Sequence, residues 1–173
     1  MVEIDPVPLL RILQRHGVRF VVIGGVAAIS QGYPLPTEDL DVTPARDPEN
    51  LERIAAALRE LGAELRVTGG ERVSFPVDPK FLAGSDSWTL ATPHGGLDLV
   101  FRPAGTEGYD DLKRDASETE LAEGLVVAVA SLRDVIRSKE TSNRIKDQAQ
   151  LPALRQTLEV IRRRERERGE EPT

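Results

Sequence analysis

Residues 20–42 read FVVIGGVAAISQGYPLPTEDLDV. An apolar run, Phe20 to Ile23, ends at Gly24 and Gly25, and a short Ala/Ile-rich segment and a Gly/Pro loop follow. The stretch closes on Asp39-Leu40-Asp41. A strand that runs into a glycine pair can open a helix whose free backbone N–H groups bind phosphate. Residues two apart on a strand face one side, so Asp39 and Asp41 point together. Two carboxylates on one side repel unless a cation lies between them, and oxygen donors of this type suit Mg²⁺.

Around this stretch the periodicity predicts a helix over 6–16, a strand over 18–23, a short helix over 25–31 and a second strand over 39–43. Asp47-Pro48-Glu49 is a helix start, and Leu51, Ile54, Ala55, Leu58 and Leu61 recur at helical spacing up to Gly62. Strands are expected at 64–67, 72–76, 87–92 and 97–101, with a hairpin turn at Pro93-His94-Gly95-Gly96 and a loop or short turn at 78–86. Residues 107–115 read as helical or irregular, and 124–130 as a last apolar strand. Ser131 and Asp134 are spaced as a cap for a helix with Leu132, Val135 and Ile136 on its apolar side. A final helix is expected from about Asp147 to Arg168, with Pro152 in its first turn or at a break. The sum is an α/β (α+β) fold: a mixed central sheet with flanking helices, plus C-terminal helices. The domain reading is a core over 1–130, a helical segment over 131–168 packed on it, and a tail over 169–173.

The chain has no cysteine, which excludes disulfides, thiolate metal sites and Cys nucleophiles. It has no long apolar run and no charged leader before an apolar stretch, so a cytoplasmic protein with no membrane partner is expected. The net charge of −6 is unevenly spread. Residues 1–130 carry 12 Lys/Arg against 21 Asp/Glu, while residues 131–168 carry 11 against 6. A basic C-terminal part on an acidic body permits a polyanion on one face and argues against a general nucleic-acid binder.

Asp98, between Leu97 and Leu99 in a run that reads as buried, is the third acid of interest. A lone buried carboxylate is costly unless it is paired or metal-bound. A phosphate-binding turn, a carboxylate pair on the next strand and a third carboxylate on a later strand form the parts of a metal-dependent phosphoryl or nucleotidyl transfer site. In that arrangement Asp39 and Asp41 hold two Mg²⁺ ions. Asp98 completes the site of one ion and accepts the proton of an attacking hydroxyl.

The apolar strand before Gly24-Gly25, the T-x-D-x-D at 37–41 and LDLVF at 97–101 resemble the nucleotidyltransferase superfamily, the polymerase-beta-like fold. The segment SLRDVIRSKETSNRIKDQAQLPAL, 131–154, resembles the C-terminal signature of small bacterial nucleotidyltransferases of the AbiEii/AbiGii or MenT-like toxin type. The resemblance covers roughly residues 18–155. It implies an enzyme that moves NMP from an NTP to a hydroxyl. A tRNA 3′ end is one acceptor and a cognate antitoxin one partner. A silent binding module, or transfer to a protein or an antibiotic-like small molecule, is the alternative. Gly24 and Gly25 would contact the triphosphate, Thr37 would steady the loop, and Asp39, Asp41 and Asp98 would hold metal. Lys139, Arg144 and Lys146 would reach the nucleotide phosphates, with Asp147 orienting one of these cations. Relatives often carry an arginine before T-x-D-x-D, where this chain has Gly32-Tyr33-Pro34-Leu35-Pro36.

Overall fold

The computed structural model describes residues 3–169. In chain order its elements are α1 (Val7–Arg15), β1 (Phe20–Ile23), α2 (Gly24–Ser30), β2 (Asp39–Pro44), α3 (Pro48–Glu60), β3 (Glu64–Arg66), β4 (Arg72–Val73), α4 (Pro79–Leu82), β5 (Ser87–Thr92) and β6 (Gly95–Val100). Then come α5 (Tyr109–Asp115), β7 (Ser117–Ala122), β8 (Leu125–Val129), α6 (Leu132–Ser142) and α7 (Ile145–Arg168). The strands form one eight-stranded sheet in the order β4-β3-β5-β6-β2-β1-β8-β7. It is mixed: β2 runs parallel to β6 and β1 parallel to β8, and the remaining pairs are antiparallel. The expected mixed sheet with flanking helices is therefore the fold observed.

The sheet has two unlike faces, and the sequence alternation sets them. Val22, Val42 and Leu99 are neighbours across β1, β2 and β6, and they share one face with Leu40, Leu97 and Leu90. All six are at most 1% exposed. The core continues into α1 and α3 through Leu9, Leu10, Leu13, Ile54 and Leu58, each at 0% exposure. Asp39, Asp41 and Asp98 fall on the opposite face, because each lies one residue away from an apolar partner. α2 packs against β2 and α6. Asp47 caps α3 by accepting a hydrogen bond from the Asn50 amide, and Pro48 occupies the first turn, as its fixed φ favours. No helix among the described residues is long and apolar enough to cross a membrane.

Four expectations need correction. The 72–76 strand shrinks to Arg72–Val73, because Pro76 cannot donate to a ladder. Residues 117–122, given no element by the pattern, form β7, a polar edge strand held by its pairing with β8. α7 starts at Ile145, two residues early, because Asn143 takes a left-handed φ of 52° that ends α6 and restarts the chain at once. Pro152 lies inside α7, beyond the first turn, and the helix runs through it. Part of the 169–173 tail lies outside the described residues.

Candidate active site

Asp41 and Asp98 are paired residues on the parallel strands β2 and β6, and Asp39 pairs with Gly96 one step away. Parallel pairing puts both acids on one face at the same height, so three carboxylates share one patch of sheet. Each is half-buried. Burial first, and then the charges of Asp98 and Asp39, push the Asp41 carboxyl up from its ordinary range. Burial and the Asp39 charge push Asp98 up as well, against the opposing pull of Arg66. Asp98 Oδ1 is a buried oxygen with no hydrogen-bond partner.

Glycines make the room for these side chains. A Cβ on Gly24 would lie 2.4 Å from Asp41 Oδ2, one on Gly25 2.5 Å from Thr37 Oγ1, and one on Gly96 1.9 Å from Asp39 Oδ1. The pair after β1 thus admits two of the side chains that the motif supplies. Thr37 Oγ1 in turn donates to the Asp39 carbonyl at 3.3 Å, tying the loop to the head of β2.

A cleft of about 720 Å³ opens over this patch. Gly24, Gly25, Thr37 and the three acids line one side, and Lys139, Arg144 and Lys146 from α6 and the start of α7 line another. The structure therefore brings every sequence-predicted site residue to one cleft. Lys146 is exposed, whereas Lys139 and Arg144 are organised by Asp147. Asp147 is 1% exposed. It accepts from Lys139 Nζ at 3.3 Å, from Arg144 Nε at 2.8 Å and from the Ser142 hydroxyl. Lys139 also donates to Gln150 Oε1 at 2.7 Å. Burial alone would raise the Asp147 carboxyl, but the hydrogen bonds from Arg144 and Ser142 and the two cationic charges outweigh it and hold it at about 2.

That depression has a sign. A carboxyl held below its unfolded value stabilises the fold above that value, and the contribution is lost as pH falls toward the folded value. Asp147→Asn is expected to lower stability at pH 7 by about 2 kcal/mol. The gap between variant and wild type should close as pH falls from about 4 toward 2, the window between the ordinary aspartate value of 3.8 and the depressed one. Urea melts at a series of pH values measure it, and a gap that stays constant down to pH 2 contradicts the assignment.

Sequence reasoning missed Arg66. Its guanidinium donates to both Asp39 oxygens at 3.2 Å and lies 3.9 Å from Asp98 Oδ1. The available signal was the alternation Glu64-Leu65-Arg66, which puts Arg66 on the acidic face once β3 is paired to β5. The loop without an arginine, 32–36, instead places Tyr33 and Pro36 on the cleft wall and leaves Leu35 49% exposed.

The donor chemistry of the acidic patch fits a hard divalent cation: carboxylate oxygens, one of them orphaned, among mutually repelling charges. As they stand, no three acidic or imidazole side chains among the described residues close into a ready ligand set. Asp39 is turned to Arg66 instead.

Three solved structures share this architecture. LnuA, a lincosamide antibiotic adenylyltransferase bound to lincomycin, superposes with a TM-score of 0.59 at 14% identity, over 89% of this chain and 98% of its own. The fold is that of nucleotidyltransferases. TM1012 of Thermotoga maritima, a proposed nucleotidyltransferase, gives 0.55 at 17% identity over 84% of this chain and 86% of its own. The antibiotic-resistance factor ANT(2'')-Ia gives 0.53 at 15% identity over 94% and 91%. No protein-family model matches the chain, and no curated protein matches it in sequence.

Proposed function

We propose that this protein is a nucleotidyltransferase that moves NMP from an NTP to a hydroxyl group. The observation that carries the reading is the cleft itself, with three carboxylates from β2 and β6 on one wall and three cations from α6, the α6–α7 turn and the first turn of α7 on another. Asp39, Asp41 and Asp98 would hold Mg²⁺, with two ions as the expected number. Bound there, the metal would supply neutralising charge to the triphosphate and to the attacking oxygen. Lys139, Arg144 and Lys146 bind the phosphates, and Asp147 fixes the first two. The acceptor oxygen bonds to the α-phosphorus, the α–β bridging P–O bond breaks and pyrophosphate leaves. The hydroxyl proton passes to Asp98, a carboxylate that faces the same cleft.

The acceptor we favour is a small polyhydroxylated molecule. A cleft of about 720 Å³ within one chain has the size of a small-molecule site. Two neighbours in fold are antibiotic adenylyltransferase or antibiotic-resistance proteins by name. A tRNA 3′ end, with the protein acting as the toxin of a toxin–antitoxin pair, is the second reading. It is favoured by the basic segment 131–168, where Arg163, Arg164 and Arg166 are exposed on α7. Incubation with α-labelled NTPs, Mg²⁺ and either total RNA or a panel of lincosamide and aminoglycoside alcohols separates the two. Label on an alcohol supports the first reading, and label on RNA replaces it with the second. No transfer to any acceptor, together with no shift in melting temperature at saturating NTP and Mg²⁺, overturns the enzyme reading in favour of a silent module of the same fold.

A further inference from the structure

Arg66 reaches Asp39 from β3, across the two intervening strands β5 and β6. Gly96, opposite Asp39, leaves room for it. A Cβ on Gly96 would lie 3.4 Å from Arg66 Nη1 as well as overlapping Asp39 Oδ1. Glycine in a strand interior weakens the strand, so this seat is a local cost of the fold. The contact is two-pronged, with two N–H groups on two carboxylate oxygens, and it leans on Asp98 as well. The side chains stay accessible, at 36% exposure for Arg66, 25% for Asp39 and 23% for Asp98. The pair is only partly buried and open to solvent on one side, so its contribution to stability is modest and the arrangement leaves the acids accessible.

We propose that Arg66 is an internal counter-cation that occupies the place of a divalent ion on Asp39 and Asp98 and competes with that ion for them. The inference rests on the nucleotidyltransferase reading for the identity of the ion. A guanidinium and a divalent cation cannot share the two Asp39 oxygens without strong repulsion. Metal entry therefore requires Arg66 to leave, and Arg66 sets the metal concentration at which the acids load. It also holds Asp39 and Asp98 to one cation before the ion arrives.

Mn²⁺ titration of the full chain, followed by the electron paramagnetic resonance signal of free Mn²⁺, tests this without any turnover. Arg66→Ala is expected to bind Mn²⁺ about tenfold more tightly than wild type, the scale of one lost charge-assisted hydrogen bond. Arg66→Lys, which keeps the charge but loses the fork, should fall between the two. It also serves as the readout if Arg66→Ala does not fold. Equal or weaker Mn²⁺ binding by folded variants, alongside clear binding by wild type, overturns the role of Arg66 and leaves the transferase reading standing. No Mn²⁺ binding to any of the proteins, with or without ATP, overturns both.

Discussion

Asp41→Asn is expected to cut label transfer by about a thousandfold or more while the metal-free protein melts a few degrees higher than wild type. The two effects have one cause. Asp41 lies beside Asp98 on the neighbouring strand and two residues from Asp39. Burial and those two charges already disfavour its ionised form, with Lys139 as the opposing charge. Removing one negative charge of three relieves repulsion in the folded state, and an amide of the same shape leaves packing unchanged. In the proposed site the same change would remove one of the three carboxylates that would hold the metal, and with it part of the charge through which the triphosphate would be neutralised. Stability gained where function is lost marks a site whose strain serves its chemistry. The measurements are thermal melts in a chelator and the labelled-NTP assay. A variant that melts below wild type in chelator, or one that transfers label at the wild-type rate, contradicts the placement of Asp41.

What the amino-acid sequence disclosed of this site depended on how far apart its partners lie in the sheet order. Asp39 and Asp41 were legible because strand alternation is local. Asp98 was legible because a charge in an apolar run needs a partner. That Asp41 and Asp98 stand side by side follows from the parallel pairing of β2 with β6, which no local pattern encodes. Arg66 is the extreme case. Its partner lies three strands away, in an order of strands that departs from chain order. Only the assembled sheet turns an ordinary Glu-Leu-Arg strand into a guanidinium on the acidic patch. Asp147 shows the opposite limit: its position in the late signature was clear, but its 1% exposure follows from the tight α6–α7 turn at Asn143. β7 was missed for a related reason, since a polar edge strand owes its form to β8 and not to its own alternation.

The glycine pair is where sequence and structure assign different physical work to the same residues, and Gly24→Ala tests the structural assignment. Gly24 has a φ of +65°, a left-handed conformation that costs a residue with a Cβ about 1 kcal/mol. Its added methyl would also stand 2.4 Å from Asp41 Oδ2, 3.0 Å from the carboxyl carbon and 3.1 Å from the Asp41 Cβ. Rotating the carboxylate away would relieve the first contact but not the last, so the β1–α2 turn and β2 must move apart. The expected result is a loss of about 2–3 kcal/mol of stability, the backbone strain plus the cost of overpacking. Transfer activity should fall about a hundredfold, because a misplaced catalytic group of this kind loses its geometry. Gly62→Ala is the control. Its φ is +58°, yet nothing lies within 4 Å of the added Cβ. It should show the left-handed cost alone, about 1 kcal/mol, with transfer unchanged. The double variant Gly24→Ala/Asp41→Ala separates clash from strain, since with the Asp41 carboxylate gone only the backbone cost and the Cβ contact remain. A stability penalty for Gly24→Ala that is clearly smaller in the Asp41→Ala background places the clash at the carboxylate. An equal penalty in both backgrounds assigns the need for glycine to the turn alone, and leaves Asp41 seated by β2 without help from its neighbour.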